Sequence, residues 1–170
     1  MTWAWALALP LGVQSAAMLV DEGYFHRRRG LGRWERVGHP LDTLTVLACL
    51  AWVRFVPPSG RAAAVYAVLA SLSCLFITKD EPVHARQCTA GEHWIHALLF
   101  VVHPVGVAAV ALLWPAVRAH GDAANVPPWL APTAPMGDLV GAQLVLTGSF
   151  FVYQTVYWNF PWPRRTPSAR

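Results

Sequence analysis

Two stretches of this chain, "DEGYFHRRRGLGRWERVGHPL" (21–41) and "DEPVHARQCTAGEHWIHAL" (80–98), hold nearly all of its proton- and metal-binding side chains. Of nine acids, only Asp122 and Asp138 fall outside residues 21–42 and 80–92, and of seven histidines only His120 falls outside 26–103. Laid together, Asp21-Glu22 matches Asp80-Glu81, His26 matches His84, Glu35 matches Glu92 and His39 matches His96. Each copy is an Asp-Glu pair, a His a few residues later, and E-x-x-x-H followed two residues on by Leu. Carboxylate and neutral imidazole in one place are ligands for iron, zinc or manganese, and the set argues against copper(I), which thiolates select.

Helical spacing makes these groups converge. Glu92 and His96 are four apart and share a face of a helix, and His103 lies on the same face about 10 Å deeper. His39 and Asp42 are three apart, and Glu22 and His26 four apart, each pair again on one face. Pro82 follows Glu81, which predicts an extended segment there. The expected metal ligands are Asp21, Glu22, His26, Glu35, His39, Asp42, Asp80, Glu81, His84, Glu92 and His96, with His93 and His103 expected to move protons or orient a ligand. The same residues also admit a blander role: "RWER" offers Arg33 and Arg36 as ion-pair partners to Glu35, and a buried network could be purely structural.

The elements that must position these groups are apolar. The chain has 170 residues, 55% of them hydrophobic and 13% charged, about half the charge usual in a soluble domain. A membrane span needs about 20 mostly apolar residues. Five stretches come near that, at 2–20, 41–56, 62–78, 94–117 and 139–160. The expectation is a single all-α transmembrane domain over 1–170. Spans one and two form one unit, spans three and four its duplicate, and the last span has no counterpart.

Charge sets the expected orientation. With five spans, ten basic residues (Arg27, Arg28, Arg29, Arg33, Arg36, Lys79, Arg86, Arg164, Arg165 and Arg170) fall on one side and three (Arg54, Arg61, Arg118) on the other. The positive-inside bias then places the N-terminus outside and the C-terminus in the cytoplasm. The basic residues thus record topology, and no nucleic-acid partner is expected. The first span has no Lys or Arg before its apolar run, unlike a signal peptide, and is read as a retained helix. Cys49 and Cys74 lie in spans, Cys88 in a reducing-side loop, and no CxxC pair points to a thiolate cluster.

In logic the arrangement is similar to the dinuclear carboxylate sites of four-helix bundles, where two helices give a Glu and two give Glu-x-x-His. Here the spacing is E-x-x-x-H and histidines are more numerous. The H-x-x-H-H boxes of membrane desaturases and hydroxylases are missing. The expected function is a metal-dependent oxidoreductase at the cytoplasmic interface, with iron favoured and zinc or manganese as alternatives. Its substrate is a lipid or other hydrophobic molecule taken from the bilayer, and an electron-transfer partner supplies reducing equivalents. A zinc-dependent lipid hydrolase and a metal-ion or proton transporter are the alternatives. Transport fits less well, because the outer halves of the spans hold little beyond Gln14, Ser15, Arg54 and Gln143, and ion pathways need polar groups through the full depth. Tyr153 and Tyr157 are expected in an aromatic belt at the interface, and Gln14 as a hydrogen-bonding link between helices.

Overall fold

A computed structural model describes residues 3–119, 126–130 and 135–160. His120, Asp122, Arg164, Arg165 and Arg170 lie outside the described residues. Among the described residues, five long helices make up the fold: α1 (Trp3–Arg29), α2 (Arg33–Phe55), α3 (Gly60–Gln87), α4 (Ala90–Arg118) and α5 (Met136–Asn159). All but α2 are long and apolar enough to cross a membrane. The exception carries Arg33, Glu35, Arg36, Asp42 and Arg54 within its 23 residues.

The turns follow from local chemistry. Gly30 closes α1 with φ of 76°, a left-handed conformation that costs an L side chain energy and glycine little. Only Leu31 and Gly32 then separate it from α2. Pro57 and Pro58 cannot continue α2, and the Ser59 hydroxyl caps α3 by accepting from the Ala62 N–H at 3.2 Å. Thr89 does the same for α4 through the Glu92 N–H, at 3.4 Å.

One expectation fails here. The Glu81–Gln87 segment is helical, continuous with α3 through a 3₁₀ turn at Ile77–Asp80. Pro82 sits in the first turn of that segment, where a helix needs no N–H from it, so the proline starts the segment and does not extend it.

The helices pack as α1 on α4 and α5 on α2, with α2 also against α3 and α4. The two ends of the bundle differ. At the end of the bundle away from Arg29 and Lys79 the core is apolar, with Leu50, Val53, Val110, Leu113, Leu130, Met136 and Val140 almost fully buried. The last carbonyls of α2 are taken up there: Arg118 donates to the Arg54 carbonyl at 2.8 Å and Trp114 to that of Val56 at 2.9 Å. At the other end the buried side chains are acids and histidines. Large apolar residues such as Leu72, Leu75, Val101, Leu112, Val145 and Val152 face outward, an apolar exterior that suits hydrocarbon better than water.

Candidate metal centre

Four helices bring His26, His39, His84 and His96 into one closed ring of imidazoles. His26 stacks on His39 with centroids 4.7 Å apart, and His84 stacks on His96 at 3.9 Å. Between the stacks, His26 lies 6.1 Å from His96 and His39 lies 6.4 Å from His84.

Backbone geometry explains how unlike spacings deliver like positions. Asp21 and His26 are five apart, more than the about 3.6 residues of an α-turn. The α1 helix widens over Asp21–His26 into a π-turn, whose i→i+5 bonds set such residues nearly above one another. Asp80 and His84 are four apart and need no such widening, because an α-helix follows Asp80 directly. Glu35 and Glu92 each occupy the third position of their helix. Glu35 accepts from the Gly32 N–H at 3.1 Å, and the Glu92 N–H is held by Thr89, so each sits one turn before its histidine.

The carboxylates fill the gaps between the rings. One Asp21 oxygen lies 3.2 Å from His26 Nε2 and 3.1 Å from His96 Nε2, while Asp80 lies 3.5 Å from His39 Nε2. Glu92 reaches His26 Nε2 at 3.8 Å, and Glu35 reaches His84 Nε2 at 3.6 Å. Glu22 is 3.3 Å from His26 Nδ1, and its other oxygen accepts from the Trp158 indole of α5. The donor atoms of Asp21, His26, Glu92 and His96 all lie within 4.8 Å of one another, as do those of Glu35, His39 and His84. Such groupings can hold a metal ion.

Two cations enter the cluster. Arg29 makes a forked pair with Glu35, at 2.9 and 2.6 Å, and its Nε donates to Glu92 at 3.0 Å. Lys79 bridges Asp42 and Asp80 at 2.5 and 2.7 Å. Burial by itself would push the Glu35 carboxyl up, but His84 and the Arg29 guanidinium hold it well below the usual range, so it is ionised. Burial, reinforced by the neighbouring His26, keeps His39 well below the ordinary imidazole range, so it stays neutral with a ring nitrogen free to ligate.

Several buried polar atoms still lack a hydrogen-bond partner. Both nitrogens of His84, His96 Nδ1, His26 Nε2, and one oxygen each of Asp21, Asp42 and Asp80 are in this state among the described residues. A buried polar atom without a partner costs about 1–3 kcal/mol, and here they crowd into one place.

Below the ring lies a cavity of about 110 Å³. Its upper wall is the cluster, with His26, His39, His84, His96, Asp21, Glu22, Asp42 and Asp80. Its lower wall is apolar and includes Met18, Val46, Ile77, Leu99, Phe100 and Phe150. His103 lies on that floor, apart from the ligand groupings. Its Nδ1 is 3.0 Å from the Gln14 amide, and its Nε2 is 3.0 Å from the Ser73 hydroxyl, which meets Thr45 at 2.7 Å.

Ten of the eleven expected ligand residues are thus brought together in or beside the cluster, Asp42 through Lys79. Glu81 and His93 are not. Glu81 is exposed on the first turn of its helical segment, and His93 is half-buried and does not line the cavity. Glu35 pairs with Arg29, not with the Arg33 or Arg36 that flank it.

Four contributors escaped the sequence reading. Arg29 and Lys79 looked like topology signals and Cys88 like a loop thiol, while Trp158 carried no expectation. Cys88 offers its sulfur to a grouping with His84 and His96, and burial and the nearby Glu92 push its thiol up to about 12. The spacing of 84, 88, 92 and 96, four residues each time, is the signal that was available.

Comparisons with protein-family models, curated proteins and solved structures return no match. The class is therefore defined by fold and site alone: an all-helical chain, apolar outside, with a buried His/carboxylate centre.

Proposed function

We propose that this chain is a membrane-embedded, metal-dependent enzyme with two metal ions in its His/carboxylate centre, acting as an oxidoreductase on a lipid or other hydrophobic substrate. One observation carries the reading: partnerless ring nitrogens and carboxylate oxygens of four helices converge on a cavity whose other wall is apolar. Ligands bound about 2.1 Å from one metal lie about 3–3.5 Å from one another, close to the 3.1–3.8 Å contacts between these imidazoles and carboxylates.

Charge supports a pair of ions. Asp21, Glu22, Glu35, Asp42, Asp80 and Glu92 meet two permanent cations among the described residues, Arg29 and Lys79. Acids that Arg29 and Lys79 leave uncompensated need further positive charge, which divalent ions would supply, since unbalanced buried charge is strongly unfavourable.

The duplication supplies the partition. Exchanging the two copies turns the His26–His39 stack into the His84–His96 stack, the Asp21–His96 contact into Asp80–His39, and Glu92–His26 into Glu35–His84. Each exchanged pair has a similar separation. One ion then takes Asp21, His26, Glu92 and His96, and the other Asp80, His84, Glu35 and His39. On this reading α2 spans the membrane as the other four helices do, and the extra α5 steadies Glu22 through Trp158.

When bound, a pair of iron ions supplies the activation of dioxygen that a hydroxylase or desaturase needs, with electrons from a separate donor. The chain's own part is to hold the ligands, keep His39 neutral and present an apolar surface to the substrate. With dioxygen and a chemical reductant, the iron-loaded protein in lipid vesicles should convert membrane lipid to hydroxylated or desaturated products resolved by mass spectrometry. Unchanged lipid alongside full iron occupancy would refute the oxidoreductase assignment.

The two donor sets are not equal. Asp80 is held by Lys79, whereas residue 20, the counterpart of Lys79, is a valine that offers Asp21 no cation. Calorimetric titration should therefore show one tight and one weaker site, and Lys79→Met should strengthen the weaker one about tenfold. Equal sites in the wild type would contradict this. Topology gives a further expectation: reporter fusions after Arg36, Arg86 and Arg165 all report the cytoplasm, and one after His120 the outside. Opposite sides for the 36 and 86 fusions would make the shared centre impossible.

The Cys88 sulfur beside His84 and His96 favours one second reading, a zinc-dependent lipid hydrolase, since thiolate and imidazole together suit zinc. Metal analysis separates the two: zinc in place of iron supports the hydrolase. A transport path is poorly supported, because the bundle beyond the cavity closes on Leu50, Leu113 and Met136, all essentially without exposure.

A further inference from the structure

The gap between α1 and α5 has a frame. These two helices are joined at two levels. The deeper join is Gln143 donating to the Ser15 hydroxyl at 2.8 Å. The one nearer the metal donors combines Trp158 donating to Glu22 with Arg27 donating to the Tyr153 hydroxyl at 3.4 Å. From Ser15 to Glu22 is seven residues, about 10 Å of helix. Between these levels a second cavity, of about 40 Å³, runs among Ser15, Met18 and Leu19 of α1, Val46 and Leu50 of α2, and Leu146 and Phe150 of α5.

This cavity adjoins the one beneath the imidazole ring. Gln14, Met18, Val46 and Phe150 line both. At its outer mouth Leu19 and Leu146 are 55% and 44% exposed, on a surface that faces lipid in the proposed membrane setting. The passage is apolar along Met18, Leu19, Val46, Leu146 and Phe150, and its polar lining, Gln14, Ser15, Gln143 and Thr147, lies toward the deep rung. At the rim near the donors stands Arg27, exposed and lying over the Tyr153 and Tyr157 rings, and the next residue, Arg28, is exposed over the Tyr24 ring of its own helix.

We infer that the window between α1 and α5 admits one acyl chain of an anionic phospholipid, drawn in sideways between Leu19 and Leu146 while its phosphate rests at Arg27 and Arg28. The inference rests on the proposed function and names its substrate class. An acyl chain fits because most of the lining is aliphatic and aromatic, and the polar side chains there are already paired, Gln143 with Ser15 and Thr147, and Gln14 with His103. An anionic headgroup fits because guanidinium groups pair with phosphate in charge-assisted, often bidentate, hydrogen bonds. The chain need not leave hydrocarbon to reach the centre, so no desolvation opposes entry.

The test reads occupancy, not turnover. The full-length protein is placed in vesicles containing phosphatidylglycerol with a diazirine on one acyl chain, illuminated, and the attachment sites are mapped by mass spectrometry. Adducts should concentrate on Met18, Leu19, Val46, Leu146 and Phe150. Leu146→Trp, which fills the mouth, should cut those adducts at least tenfold with bound metal unchanged. Leu112→Trp, on an outward face of α4, should leave them as they are. A phosphatidylcholine probe should label the window several-fold less, and Arg27→Gln should erase that difference. Adducts spread evenly over outward residues such as Val101, Leu112 and Val152, or undiminished by Leu146→Trp, would overturn the window. Equal labelling by the two headgroups would overturn the anionic lipid. Because labelling does not need the metal, an unlabelled window in a metal-loaded protein refutes this inference alone, and a labelled window in a protein that binds no metal refutes only the metal reading.

Discussion

In the His96→Ala protein, bound metal should fall from the proposed two ions per chain to one, and the His39→Ala protein should lose the other. His96 Nε2 lies 3.1 Å from Asp21 in the first donor set, and His39 lies 3.5 Å from Asp80 in the second. Loss of a group that only orients a ligand typically costs 10- to about 100-fold in metal affinity. Loss of a ligand itself should exceed about 100-fold at its own site. Both variants should insert and stay helical, because each truncation is confined to a cavity wall. His93→Ala and Glu81→Gln should leave metal content untouched, since neither side chain reaches the cluster. Metal content measured per chain after dialysis decides the matter: equal loss from His93→Ala and His96→Ala would mean the ring of imidazoles is not the binding site.

The second large effect belongs to Arg29. Its guanidinium spans Glu35 and Glu92, one acid from each donor set, both almost completely buried. Breaking a buried ion pair by removing one partner costs about 3–5 kcal/mol, because the remaining charge is left uncompensated. Arg29→Met leaves two such carboxylates, so the metal-free protein should melt far below the wild type in detergent. Metal supplies the missing positive charge, so saturating iron or zinc should recover most of the loss. A metal-free Arg29→Met protein as stable as the wild type would show that Glu35 and Glu92 are protonated or solvated, and would remove the electrostatic argument for two ions.

The sequence exposed some parts of this molecule and hid others for physical reasons. The apolar helices were legible because each needs a long uncharged run, although α2 reaches back to Arg33, beyond its apolar segment, since Glu35 caps its own helix start. The convergence of His26, His39, His84 and His96 was legible as repeated i, i+4 spacing. The π-turn at Asp21–His26 left no signal beyond a five-residue spacing where Asp80 and His84 are four apart, a difference the wider turn accommodates. Pro82 misled, because the same residue that disfavours helix before it also starts one. Arg29 and Lys79 were hidden by the strength of the topology signal: a basic residue at a membrane face reads as orientation, and only three-dimensional contact shows that these two point inward to buried acids. Trp158 was hidden for a similar reason, since interface tryptophans are common and nothing local marks one that reaches Glu22.

The central claim is that these side chains hold a pair of metal ions. Elemental analysis of the purified full-length protein, read with its Mössbauer or optical spectrum, tests it most directly. Close to two divalent ions per chain are expected, either as isolated or after addition of ferrous iron, with a spectrum of nitrogen- and oxygen-ligated high-spin iron. A well-folded protein that purifies without stoichiometric metal and takes up none from iron, zinc or manganese would contradict it.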